Sequence, residues 1–132
     1  PPPPARRIPE IEYTTKMLYG TETFMDDDIP IENSRLFVGT ITEVDTEFNG
    51  GGIEIFTEKS LDNREDDFFV KKKEMFMAPL NMSLGTAFEN GMSRAEWSWY
   101  DEVFRPGRKI QFRYVAVGSG GFLYLTYVKV VR

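Results

Sequence analysis

The clearest pattern lies near the C-terminal end of the sequence. From Arg108 to Val117 apolar and polar residues alternate, with Ile110, Phe112, Tyr114 and Ala116 on one side and Lys109, Gln111 and Arg113 on the other. A period of two marks a half-buried strand. Gly118-Ser119-Gly120-Gly121 breaks the pattern, and Phe122 to Val131 follows as a partner strand. Both sides of that second strand are largely apolar, which predicts a strand covered on both faces or central in its sheet. Leu36 to Phe48 is rich in β-branched residues and predicts a third strand, with Leu36, Val38, Thr40, Thr42 and Val44 on one face. Asn49-Gly50-Gly51-Gly52 interrupts it and Ile53 to Glu58 resumes. A hairpin with a glycine-rich loop is the natural connection.

The rest of the chain is less regular. Ile11 to Phe24 fits neither period, because Tyr13, Met17 and Gly20 keep helical spacing while Thr14, Thr15 and Gly20 weaken a helix. Residues 25–35 carry turn chemistry in Asp26–Asp28, Pro30, Asn33 and Ser34. Phe68 to Met77 has apolar ends around a charged middle, and Ala78 to Gly91 reads as loop with at most a short strand. Ser93 followed by Glu96 is a capping-box pattern, and Trp97, Tyr100 and Phe104 then share a helical face. A short helix is favoured there over a strand. Together these elements predict a single, mainly β domain over residues 11–132. It is an antiparallel barrel or two-layer sandwich with at most one or two short helices.

Residues 1–10 stand apart. Pro1, Pro2, Pro3 and Pro4 favour an extended polyproline arm, with Arg6 and Arg7 adding positive charge. An arm of this kind suits docking on a partner protein. The first residue is not methionine, and removal of a targeting peptide is one ordinary route to that, so an organellar location is one expectation.

Composition removes whole classes of chemistry. The 132 residues contain no histidine and no cysteine. Thiol nucleophiles, disulfides, imidazole acid–base catalysis and Cys/His zinc sites are therefore excluded. Carboxylates and hydroxyls remain. Asp26-Asp27-Asp28 and the group Asp62, Asn63, Glu65, Asp66 and Asp67 lack the spacing that makes oxygen ligands converge on a hard cation. Asp101 and Glu102, beside Trp97, Trp99 and Tyr100, are the best carboxylate pair for glycoside chemistry. An aromatic core segment with a polar rim explains them as well. Gly50–Gly52 and Gly118–Gly121 precede strands rather than helices, so neither cradles a phosphate. Asn81-Met82-Ser83 is a formal glycosylation triplet of little weight. No cofactor, metal or enzymatic activity is expected, and no apolar run is long enough to cross a membrane as a helix.

Charge is uneven. The net charge is −5, but the acids concentrate in the first half of the chain and the bases in the second, including Lys71, Lys72 and Lys73 and Arg105, Arg108, Lys109 and Arg113. In one domain the halves neutralise each other unless they segregate in space. Leu36 to Asp45, followed by a glycine-broken second strand, resembles the opening of OB-type barrels. That resemblance implies a single-stranded nucleic-acid binder. Against it, the basic residues alternate away from Phe112 and Tyr114, and the negative total opposes phosphate binding. A barrel enclosing an apolar small molecule or lipid is a second alternative. The favoured expectation is a non-enzymatic protein-binding or accessory subunit of a larger assembly. Its partner contacts are assigned to Pro1–Pro4, Arg6, Arg7 and Lys71–Lys73. Met75, Phe76, Met77, Trp97 and Trp99 supply residue types that interface cores favour.

Overall fold

A computed structural model describes residues 8–22, 35–62, 70–117 and 121–131. Six strands and three short helices occur in the order β1 (Glu12–Tyr13), α1 (Thr15–Tyr19), β2 (Leu36–Asp45), β3 (Gly52–Ser60), β4 (Lys73–Met77), α2 (Leu84–Glu89), α3 (Arg94–Val103), β5 (Lys109–Val117) and β6 (Phe122–Val130). Strands β2, β3, β4, β6 and β5 close into a five-stranded barrel. Every pairing is antiparallel except β4 with β6, which meet at Met77 and Tyr124. The parallel step requires a crossover, and α2 and α3 provide it. Helices α2 and α3 thus lie between the third and fourth barrel strands.

Both glycine breaks are hairpin connections. Asp45 pairs with Gly52 across the first, and Val117 with Phe122 across the second. The face of β2 differs from the expected one. Phe37, Val38, Gly39 and Ile41 are buried, and register shifts at Val38/Gly39 and Ile41/Glu43 change which parity points inward. Bulges insert a residue on one strand only, so strict alternation fails across them. Gly39 is fixed by space: a Cβ there would lie 2.6 Å from the Phe56 carbonyl oxygen. Strand β4 occupies only the last part of the ambiguous Phe68–Met77 stretch. The segment expected as loop after it contains α2, which Ser83 caps by accepting from the Thr86 N–H at 3.1 Å. Helix α3 has the predicted capping box: Glu96 N–H donates to Ser93 Oγ at 3.1 Å, and Ser93 N–H donates to Glu96 Oε1 at 2.7 Å.

The barrel interior is filled by its own side chains. Ile41, Ile53, Ile55, Phe76, Ile110, Phe112, Leu125 and Val128 have no exposed surface. Phe112 stacks on Phe37 at 5.7 Å and meets Phe76 edge-on at 5.3 Å. Each such side chain contributes roughly 1.5–3 kcal/mol by leaving water. Tyr13, Tyr100 and Phe104 form a further aromatic group beside α3, with ring centroids 4.9–6.3 Å apart. Ile8 and Ile11 are also in the core, so the N-terminal segment is packed from Ile8 onward. Residues 1–7, including Pro1–Pro4, Arg6 and Arg7, lie outside the described residues.

The outer edge of β6 is served by three different elements in turn. Tyr124 bridges to β4. The carbonyl of Leu125 accepts from the Tyr19 hydroxyl at 2.5 Å, and that of Thr126 from the Thr15 hydroxyl at 2.6 Å. Val128 and Lys129 then pair with β1. Two hydroxyls from α1 thus stand where backbone donors would stand in a continuous ladder. Carbonyls buried without donors would be costly, and this arrangement removes that cost. Gly20 at φ 78 closes α1, and Asn90 Nδ2 donates to the Met17 carbonyl at 3.1 Å, tying α1 to the end of α2.

Candidate functional site

The barrel carries an apolar face on the outside of β3, β4 and the start of β6. In β3, Ile53, Ile55 and Thr57 are fully buried, so Glu54 and Phe56 take the opposite side. In β4, Phe76 is buried and Met75 and Met77 flank it, each half-buried. Pairing sets Phe56 opposite Lys73 and Glu54 opposite Met75. The parallel register of Met77 with Tyr124 puts Met75 level with Phe122, which is 48% exposed. Phe48 completes the face from the β2–β3 connection. A Cβ on Gly52 would lie 2.7 Å from Phe48 Cδ1 and 3.0 Å from Met75 Sδ, so both side chains lie over the space that this glycine leaves. Asn81 holds the connection in place, donating to the carbonyls of Thr46 and Gly50 at 3.3 Å. Asn81 and Ser83 of the formal glycosylation triplet therefore both have structural duties.

The predicted lysines flank this face. Lys71, Lys72 and Lys73 are all exposed, and Lys73 enters β4 directly beside Phe56. Lys71 sits at φ 64, in a turn pinned by two backbone bonds: Lys71 N–H to Thr57 O at 2.7 Å and Thr57 N–H to Lys72 O at 3.1 Å. The carboxylates of β3 are engaged within the barrel. Glu54 accepts from the Thr42 hydroxyl at 2.8 Å. Glu58 accepts from Thr40 at 3.4 Å and pairs with Lys109 Nζ at 3.4 Å. Glu74 is opposite Ile55 and so belongs to the other parity. Among the described residues, neither Lys71 nor Lys73 has a carboxylate within ion-pair reach.

Other candidates from the sequence resolve into structural roles. Lys109, Gln111 and Arg113 point outward from β5 while Phe112 lies in the core. They sit on a different side of the barrel from the three lysines, next to Lys129 and Tyr127 of β6. Arg113 lies over the Tyr127 ring at 5.9 Å, and burial together with the neighbouring Glu12 raises the Tyr127 pKa. A groove of about 430 Å³ opens there, lined by Glu12, Lys16, Glu22 and Arg113 among others. Its charges are mixed and define no single ligand. The acidic and basic halves of the chain are thus adjacent: β2–β3 carries Glu43, Glu54 and Glu58, β5–β6 carries Lys109, Arg113 and Lys129, and the Lys109–Glu58 pair joins them. Glu43 even faces Glu54 across the ladder.

The carboxylate pair does not converge. Glu102 is bound to Arg105 at 3.1 Å, and its carbonyl accepts from Arg108. Trp97 stacks on Tyr100 at 5.9 Å, as part of the packing of α3 on the barrel. Asp62 Oδ2 accepts from the Leu36 N–H at 2.7 Å and secures the start of β2. Among the described residues no group of acids is placed to hold a metal ion, while Asp26–Asp28, Asn63 and Glu65–Asp67 lie outside them. No helix among the described residues is long and apolar enough to cross a membrane.

The apolar face is not legible in the sequence because its residues come from separate stretches of the chain; Met75 and Met77 flanking Phe76 are its one local signal. No family model matches the chain, and no curated protein or solved structure is significantly similar to it.

Proposed function

We propose that this protein is a non-enzymatic binding module that docks a partner protein on the outer face of β3, β4 and β6. The observation that carries this reading is the placement of Phe56, Met75, Met77 and Phe122 on one outward face, with Lys71 and Lys73 at its end. Aromatics and methionine are the residue types that interface cores favour, and methionine adapts to irregular partners. The filled barrel interior weighs against an enclosed small-molecule site. The proline-rich N-terminal segment, expected from sequence as an arm over residues 1–10, remains a second contact in this proposal.

The test is association in an extract of the native source, read by quantitative mass spectrometry on immobilised protein. Phe122→Ser with Met75→Ser should lose the partners that wild type retains. Phe88→Ser, on the exposed side of α2, should keep them. Deleting residues 1–7, which leaves Ile8 in the core, should weaken the same association; unchanged retention removes the arm from the proposal.

One observation favours a second reading. OB-type barrels bind single strands on the corresponding face, and aromatics beside lysines suit base stacking with phosphate contacts. On that reading, oligonucleotide affinity falls steeply with salt. The separation of Lys71–Lys73 from Lys109, Arg113 and Lys129 onto different sides of the barrel weighs against it.

A further inference from the structure

Charge on the docking face is unequally spent. The two carboxylates of β3 that face outward, Glu54 and Glu58, are taken by Thr42 and by Thr40 with Lys109. The ammonium groups of Lys71 and Lys73 have no carboxylate within reach among the described residues. Among the described residues, the charge left without a counter-ion beside the apolar face is therefore positive, carried by Lys71 and Lys73. The geometry is specific as well. Lys73 is the cross-strand neighbour of Phe56, and two positions further along β4, Met75 is level with the exposed Phe122. Cation and apolar anchor points are thus separated by one strand repeat, roughly 7 Å. A partner that extends a large apolar side chain onto Met75 and Phe122 brings the next same-side residue of its own extended backbone to Lys73.

The geometry points to an acidic linear segment as the occupant of this face: an extended peptide of a partner protein, with one or two large apolar residues seated on Phe56, Met75 and Phe122 and aspartate or glutamate residues set against Lys71 and Lys73. This inference rests on the docking reading above and adds the chemistry of the partner. An apolar peptide without acids leaves both lysines beside a desolvated surface with no counter-charge, and a basic peptide is repelled. Complementarity of this kind selects partners by excluding wrong charge.

The experiment is selection of random dodecapeptides displayed on phage against the full-length immobilised protein, in parallel for wild type, Lys71→Glu with Lys73→Glu, Met75→Ser with Phe122→Ser, and Phe88→Ser. Circular dichroism and the unfolding midpoint of each variant report that it folds. Wild type is expected to enrich peptides that carry aspartate or glutamate next to a large apolar residue, and Phe88→Ser to enrich the same ones. The lysine reversal should weaken a selected synthetic peptide by about tenfold and enrich lysine- or arginine-bearing peptides instead. The serine pair should enrich none of them. Apolar peptides without acids that still require Met75 and Phe122 overturn the acidic chemistry and leave the docking face standing. Enrichment unaffected by the serine pair, or no enrichment at all, overturns both. A labelled twelve-nucleotide deoxythymidine strand that binds more tightly than any selected peptide, with a steep salt dependence lost in the lysine reversal, overturns the inference in favour of nucleic acid.

Discussion

Thr57 and Thr126 each bury a hydroxyl that has no hydrogen-bond partner among the described residues. An unpaired buried polar group costs about 1–3 kcal/mol, while an apolar group of the same shape costs little. Thr57→Val and Thr126→Val should therefore each stabilise the protein by about 1 kcal/mol, seen as a higher urea midpoint at unchanged slope; a fall in midpoint for either would mean that its hydroxyl has a partner. Gly39 predicts the opposite sign. Its Cβ would press on the Phe56 carbonyl oxygen at 2.6 Å and on Ile55 Cγ2 at 2.8 Å. The backbone of β3 cannot retreat without opening the β2–β3 ladder, so Gly39→Ala should cost roughly 1–3 kcal/mol. Urea unfolding of that variant measures it. Gly85→Ala has open space around it and lies inside α2, so the gain of about 0.5–1 kcal/mol expected from helix propensity should appear.

At the scale of the element, local chemistry decides what a sequence reader can see. The box at Ser93 and Glu96 is local, so α3 is legible from four residues. Ser93→Ala should cost about 1 kcal/mol, measured in the same denaturation series. Alternation makes β5 legible and two apolar faces make β6 legible, because neither strand needs knowledge of its neighbours. Helix α2 is harder to see. Gly85 and Asn90 argue against it, and its stability depends on Ala87 in the core and on Asn90 reaching Met17. These are tertiary contacts. The inward face of β2 is hidden for a related reason: a bulge leaves no mark in composition. The docking face is the extreme case. Phe48, Phe56 and Met75 come together through the β3–β4 ladder, and Phe122 joins them only through the barrel closure, where the bridge of Met77 to Tyr124 sets the register. Lys71–Lys73 could be named from sequence as a charged run; what they flank could not.

For the whole molecule, three tyrosines set the alkaline limit. Tyr13, Tyr19 and Tyr100 donate their hydroxyls to the carbonyls of Glu96, Leu125 and Pro79 at 2.5–2.8 Å. Burial, reinforced by nearby acids or tyrosines, raises all three pKa values well above the ordinary one. A folded-state pKa above the unfolded value favours the protonated form in the fold. The contribution is fully present below the unfolded pKa of about 10 and is lost as pH rises beyond it toward the folded values. Urea midpoints should be flat in this respect up to about pH 9 and then fall, with tyrosinate absorbance appearing together with unfolding. Tyr19→Phe should lose stability at neutral pH, because the Leu125 carbonyl loses its donor, by about 1–3 kcal/mol. The charge balance acts at the same scale. Acidic β2–β3 lies next to basic β5–β6, with the Lys109–Glu58 pair between them, and such exposed pairs contribute little to stability. Their arrangement matters for orientation on approach to a partner rather than for holding the barrel.

The relay along the edge of β6 has a consequence in time. Thr15 and Tyr19 meet carbonyls 111 and 106 residues further along the chain. On a ribosome, those hydroxyls emerge long before their acceptors exist, and β1 likewise waits for Lys129. The N-terminal segment is therefore expected to dock late. In refolding experiments, Thr15→Val and Tyr19→Phe should accelerate unfolding and leave the folding rate nearly unchanged, so that this clasp governs how long the native barrel persists once formed.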